Sequence, residues 1–194
     1  MSLLNIDFFL NWKLFLKPWN IIPNFSLKSI FEINNILDKC DIKGIIIDID
    51  QTITVYGSDH IDNVTLQLLN ELSNNYKLCF LSNYPKSKKS FVRFLKIENV
   101  TTIKTILSDK KKPDASAFLE ALNYLKTDPR KSVMIGDRLF TDIIGANNMD
   151  LITVLVKPIN PKSDPVMIQI SRLFESFFLR IISYFFNRGR NEKN

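Results

Sequence analysis

Five short runs of Ile, Val and Leu, each separated from the next by enough chain for a helix, constrain this fold more than any other feature. They lie at 44–50 (GIIIDID), 76–83 (YKLCFLSN), 103–107, 132–137 (SVMIGD) and 151–156 (LITVLV). Runs so continuously apolar read as strands buried on both faces, as in a parallel sheet. Residues 62–74, 86–96, 115–126 and 141–148 carry apolar positions at helical spacing. Asp59 or Asp62 stands where the first helix needs a cap, and Pro113 suits the first turn of the third. This alternation predicts an α/β fold: a three-layer, Rossmann-like arrangement around a five-stranded parallel sheet. Around this core, 41–160, residues 1–40 form an aromatic, amphipathic extension. Residues 161–194 form an amphipathic helix with a basic tail.

Composition narrows the chemistry. The single histidine, His60, argues against a Ser-His-Asp triad or a multi-histidine zinc site. Cys40 and Cys79 cannot build a disulfide framework, stand in no C-x-x-C spacing, and suggest a reducing compartment. Five glycines include no G-x-G-x-x-G and no P-loop. Carboxylates must therefore carry any catalysis. The net charge of +6 favours acidic partners (phosphates, nucleic acid or an anionic membrane), although a solvated basic surface would give the same number.

Ligands of parallel α/β sheets bind outside the carboxyl ends of the strands. Three of the five runs end there in polar residues. The first ends in Asp48-Ile49-Asp50-Gln51-Thr52, the second in Ser82-Asn83, and the fourth in Gly136-Asp137, with Thr141-Asp142 following. Two carboxylates two apart on an extended strand face the same way, and one holds a proton near neutrality unless a cation intervenes. Asp137, on another strand end, is placed to share a hard cation such as Mg²⁺ with Asp48. Lys112, in the basic run Lys110-Lys111-Lys112, offers a positive charge to a phosphoryl group. Each feature alone is ordinary: a solvated strand end, a turn, a surface lysine, a helix cap. Their common placement at one sheet edge is not.

The set D-x-D-x-T, S-N, K-P and G-D-x-x-x-T-D, in that order, resembles the haloacid dehalogenase (HAD) superfamily of aspartate-nucleophile phosphatases. More narrowly, KGIIIDIDQTIT, LSN, KKP and GDRLFTDIIGAN resemble the subfamily IIIA, YqeG-like phosphatases, among them the phosphatidylglycerophosphate phosphatases of bacteria, mitochondria and plastids. The resemblance runs from about Pro18 to about Val156. It implies Asp48 as nucleophile and Asp50 as acid and base. It implies Mg²⁺ held by Asp48, the carbonyl of Asp50 and Asp137, with Asp142 as auxiliary. Ser82 and Lys112 would bind the phosphoryl oxygens, and Thr52 and Asn83 would position the loops beside them. Gln51 departs from the family's usual Asn or Gly.

The 29-residue gaps from Thr52 to Ser82 and from Ser82 to Lys112 leave no room for a cap domain, only for a small flap at 53–60. An open site suits a phosphate on a large or surface-bound substrate. Val166, Ile170, Leu173, Phe177, Ile181 and Phe185 recur at helical spacing, opposite Arg172, Glu175 and Arg180. Such a helix either docks on the core or a second subunit, or lies in a membrane interface with Arg172, Arg180, Arg188 and Arg190 toward anionic headgroups. Trp12 and Trp19 offer a second contact of that kind. The expected substrate is a phospholipid head-group phosphate and the expected product phosphatidylglycerol. No nucleic-acid partner is expected. The expected location is peripheral on a membrane, in the cytoplasm or the interior of a plastid or mitochondrion. A soluble nucleotide, sugar phosphate or phosphoprotein is the alternative substrate.

Overall fold

The computed structural model describes residues 18–83 and 87–191, with side chains over 20–83 and 87–182. The N-terminal aromatics Trp12 and Trp19, the helix start at Lys86 and the arginines at 188 and 190 lie outside the described side chains. Six strands make one sheet: β1 (Phe25–Leu27), β2 (Gly44–Ile47), β3 (Lys77–Leu81), β4 (Thr105–Ile106), β5 (Ser132–Gly136) and β6 (Ile152–Val156). Their order is β1-β6-β5-β2-β3-β4, and every pairing is parallel. The helices are α1 (Asn34–Leu37), α2 (Asn63–Asn75), α3 (Lys88–Thr101), α4 (Ala115–Leu125), α5 (Ile144–Asn147) and α6 (Val166–Asn191).

The sheet has six strands rather than the expected five. The sixth, β1, pairs Phe25 with Val154 at an edge. Its three residues, FSL, are too short to show a period in sequence. They fall in the stretch read as an extension, as do Ile30, Ile33, Ile36 and Leu37, which are buried in the core.

Alternation along the strands builds the layers. Ile45, Ile47, Phe80 and Ile135 face Leu69, Leu72, Phe94 and Ile97 of α2 and α3. Ile46, Cys79, Leu81 and Met134 face Phe118, Ala121 and Leu122 of α4. Phe80 and Phe118 are fully buried, and truncating such a residue to Ala typically costs about 3–5 kcal/mol. Local chemistry fixes the helix starts. Asp62 accepts from the Thr65 amide, Ser87 from Ser90 and Asp114 from Ser116. Asp114, not Pro113, therefore opens α4. The last expected helix begins instead as a π-helical turn, Leu139–Ile143, that runs into α5. Wide turns of this kind recur at functional sites.

Chain direction across the sheet reverses between β2 and β5. From β2 the chain moves outward through β3 to β4, then returns to β5 on the other side. The crevice beyond the carboxyl ends of β2 and β5 is thus the binding position of such a sheet.

Candidate active site

Asp48 follows β2 directly, and its amide still bonds to the Ile135 carbonyl at 2.9 Å. The chain then leaves the strand through Ile49 and Asp50 to Gln51, whose φ is 66°. That left-handed conformation explains why Asn or Gly suits the position, since other residues pay a steric cost of about 1 kcal/mol there. Gln51 is offset by its side chain. Its Nε2 donates to Asp164 Oδ1 (2.6 Å) and the Asn160 carbonyl (2.7 Å), and its Oε1 accepts from the Asn160 amide (2.8 Å). The loop that follows β2 is thereby fastened to the segment that precedes α6.

Asp48, Asp137 and Asp142 converge. Each offers a carboxylate oxygen within 4.8 Å of the other two, and all three are buried. Gly136 makes this possible, because a Cβ there would collide with the side chain of Asp142. Lys112, 3% exposed, reaches Asp48 Oδ1 at 2.6 Å and Asp142 Oδ1 at 2.8 Å. Asn83 holds Lys112 in place through its backbone. Its amide donates to the Lys112 carbonyl and its oxygen accepts from the Lys112 N–H, both at 2.7 Å. Asp142 is therefore a full member of the cluster.

Asp50 is held apart from this cluster. Arg93 of α3 grips its carboxylate with two N–H groups, at 2.8 and 3.2 Å, and the Gly57 amide donates to it at 2.7 Å. The two aspartates of D-x-D are turned to different partners: each has its own cation, Lys112 for Asp48 and Arg93 for Asp50. Arg93 also donates to the Ser58 carbonyl, pinning the expected flap, which contributes Tyr56 to the pocket wall.

Burial pushes the Asp48 carboxyl well above the usual carboxylate range. Lys112 pulls the other way, and Asp142 and Asp137 push it further up. Burial likewise raises Asp137 to about 7 against the pull of Arg172. Burial opposes the charge on Lys112, but Asp142 and Asp48 outweigh it and raise its pKa above the ordinary lysine value. Asp48, Asp137 and Asp142 crowd three buried carboxyl groups around Lys112 and an Arg172 that is shared with Asp164. Asp137 Oδ1 is buried without a hydrogen-bond partner. An orphaned carboxylate oxygen in a cluster of hard oxygen donors fits a divalent cation such as Mg²⁺.

The pocket has a volume of about 130 Å³ and is walled by Asp48, Asp50, Ser82, Asn83, Lys112 and Asp137 together with residues of α6. Ligand pockets typically run from roughly 300 Å³ upward. This one has room for a phosphoryl group and little beyond it. Thr52 is 3% exposed, lies outside this lining, and leaves its Oγ1 without a hydrogen-bond partner.

The α6 side of the site was not foreseen. Arg172, which the membrane-interface alternative sets toward headgroups, is turned inward, as docking on the core requires. It bonds to both the carboxylate and the carbonyl of Asp137, and to Asp164 at 2.6 Å. Arg138 bonds to Glu175 at 2.9 Å and to Ser171 at 2.7 Å. The polar face of α6 thus docks on the body, with Phe178, Leu179 and Ile182 packed beside Phe140. Its apolar face is left in solvent: Val166, Leu173, Phe174 and Phe177 are each more than half exposed.

A doubly wound parallel sheet with acids after its central strands is the architecture of HAD-type phosphoric monoester hydrolases. Among solved structures, the chain is similar to a HAD phosphatase from Thermococcus onnurineus, with 19% identity and a TM-score of 0.51, over 64% of this chain and 89% of that one. A predicted HAD-like hydrolase from Porphyromonas gingivalis gives 14% identity and 0.50, over 70% and 98%. Residues 9–160 match the family described as mitochondrial PGP phosphatase, and the chain belongs to that family. Among curated relatives, the probable phosphatase YqeG of Bacillus subtilis is 28% identical over 171 residues, 87% of this chain and 93% of its own. A glyceraldehyde 3-phosphate phosphatase of Pyrococcus furiosus is 29% identical over 110 residues, covering 43% of this chain and 46% of that one. The chain is a phosphatase of the HAD superfamily.

Proposed function

We propose that this phosphatase is Mg²⁺-dependent and hydrolyses the terminal phosphomonoester of phosphatidylglycerophosphate at a membrane surface, releasing phosphatidylglycerol and phosphate. The observation that carries the reading is the buried Asp48 carboxylate, flanked by Lys112 and clustered with Asp142 and with Asp137, whose Oδ1 has no partner. Asp48, Asp137 and Asp142 would hold the ion, with the Asp50 carbonyl as a further ligand. When bound, the ion supplies charge stabilisation and orients the phosphoryl group.

Asp48 attacks phosphorus as the P–O ester bond breaks, forming an aspartyl-phosphate. Asp50 enters this step as the carboxylic acid, gives its proton to the leaving alkoxide, and regains one from the water that attacks the acyl-phosphate. That second attack releases phosphate and restores the Asp48 carboxylate. Arg93 and the Gly57 amide both donate to Asp50 and fix the position of its carboxyl group. Ser82 and Lys112 meet the phosphoryl oxygens, and Asn83 sets the height of Lys112 above Asp48.

Three observations support a lipid substrate. The family's description names PGP. The small pocket admits a phosphoryl group and leaves the remainder of the substrate outside. On this reading there is no cap: the chain between β2 and β4 carries α2 and α3 with their connections. Finally, α6, which lines the pocket through Ile168 and Arg172, leaves Val166, Leu173, Phe174 and Phe177 exposed, as a helix that enters a membrane interface would. No helix among the described residues is long and apolar enough to cross a membrane, and the contact proposed is a peripheral one. The Pyrococcus relative named for a small sugar phosphate favours a soluble substrate as the second reading. Phosphate release from a panel of phosphatidylglycerophosphate in mixed micelles, glyceraldehyde 3-phosphate and nucleotides decides between them. The lipid should have the highest kcat/KM, and a soluble ester that exceeds it would replace the proposal.

A further inference from the structure

Arg172 has no part in the chemistry above, yet its guanidinium lies against a metal-binding acid. One edge donates to Asp137 Oδ2 and to the Asp137 carbonyl, while Nε donates to Asp164 Oδ2 at 2.6 Å. Asp164 is buried and is itself fixed by Gln51. The planar fork is therefore held on two sides and cannot swivel as an ammonium would. Asp137 is left with one oxygen committed and the other, Oδ1, buried and without a partner.

We propose that Arg172 sets the ion selectivity of the acidic site by confining Asp137 to ligation through a single oxygen. This rests on the reading that Asp48, Asp137 and Asp142 hold a divalent cation. Mg²⁺ requires near-octahedral geometry, which the narrow bite of a bidentate carboxylate disturbs. Ca²⁺ accepts six to eight oxygens and takes carboxylates by one oxygen or both. With Oδ2 tied to Arg172, Asp137 gives Ca²⁺ no extra ligand. Freed from Arg172, it offers both oxygens, and Ca²⁺ gains where Mg²⁺ does not. Removing a positive charge strengthens the binding of either cation, so the diagnostic quantity is the ratio of the two affinities.

The experiment is calorimetric titration of Mg²⁺ and of Ca²⁺ into the full chain without substrate, for the wild type and three variants. Arg172→Gln should shift the ratio toward Ca²⁺ by about tenfold. Arg172→Lys keeps the charge but cannot hold Asp137 and Asp164 together, and should shift the ratio the same way by about threefold. Arg138→Gln removes a nearby cation that is bonded to Glu175 and not to Asp137, and should leave the ratio at the wild-type value. Equal changes in both affinities on Arg172→Gln, or the same ratio shift in Arg138→Gln, would show that charge alone acts and overturn the proposal. Should Arg172→Gln fail to fold, an unchanged ratio in Arg172→Lys overturns it. If the wild type binds neither ion, the metal reading fails and takes this inference with it.

Discussion

Asn83 and Lys112, 29 positions apart in sequence, are joined by two hydrogen bonds of 2.7 Å between the Asn83 side-chain amide and the Lys112 main chain. The pair sets where the Lys112 ammonium stands over Asp48. Asn83→Ala should therefore lower kcat by about tenfold or more, with a stability loss of roughly 1–3 kcal/mol, because the groups left behind are part-buried. Asn83→Asp keeps the acceptor but sets a carboxylate against the Lys112 carbonyl, and should be at least as damaging. Steady-state kinetics on a soluble chromogenic ester, with urea denaturation of each variant, measures both effects.

Lys112 stands between two buried carboxylates. Lys112→Met leaves Asp48 and Asp142 uncompensated, a change that typically costs about 3–5 kcal/mol. A divalent cation should recover part of that loss. The gain in melting temperature from adding Mg²⁺ to chelated protein should thus be larger in the variant than in the wild type. Differential scanning calorimetry with and without chelator reads the difference directly.

The acidic cluster is legible in the sequence because strand ends announce themselves. Ile-rich runs that stop in Asp or Gly-Asp place Asp48 and Asp137 at one edge before any contact is known. The cations that organise the cluster are not legible in the same way. Arg93 sits at the spacing Ser90, Arg93, Phe94, Ile97, Thr101, all buried, so its helix face gave a signal that an arginine's usual exposure masks. Arg172 gave none. Its charge fitted a headgroup as well as a buried acid, and only the docking of α6 distinguishes them. β1 was hidden by its length. Gln51 stood out as a departure from Asn or Gly, but its tie to Asn160 and Asp164, more than a hundred positions away, left no trace in the sequence.

The inward turn of Arg172 makes α6 a part of the site wall. Removing the chain from Ser163 onward deletes Arg172, Glu175 and the packing of Ile182. Such a protein should lose hydrolysis of soluble esters as well as of lipid. The membrane role of α6 is tested by Phe174→Glu with Phe177→Glu, both on the exposed face. This double variant should keep its rate on a soluble ester and lose sedimentation with anionic liposomes. Unchanged sedimentation would assign the contact elsewhere. A shift to monomer in analytical ultracentrifugation would make the face a subunit interface.

Asp62 gives a pH signature unrelated to the active site. Its carboxylate accepts from the Thr65 amide at 2.8 Å, which lowers its pKa in the fold. A depressed folded pKa means that the cap stabilises fully above the ordinary aspartate value and fades as pH falls through the folded one. Asp62→Ala should cost about 1 kcal/mol at pH 7 and progressively less in acid, measured by urea denaturation across pH. A penalty independent of pH would mean that the carboxylate is not the capping group.

Phosphate release from phosphatidylglycerophosphate, compared between the wild type and Asp48→Asn in saturating Mg²⁺, tests the nucleophile most directly. An amide cannot form the acyl-phosphate, so the rate should fall by orders of magnitude while the melting temperature stays near that of the wild type. A folded Asp48→Asn protein that keeps more than about a tenth of the rate would contradict the mechanism.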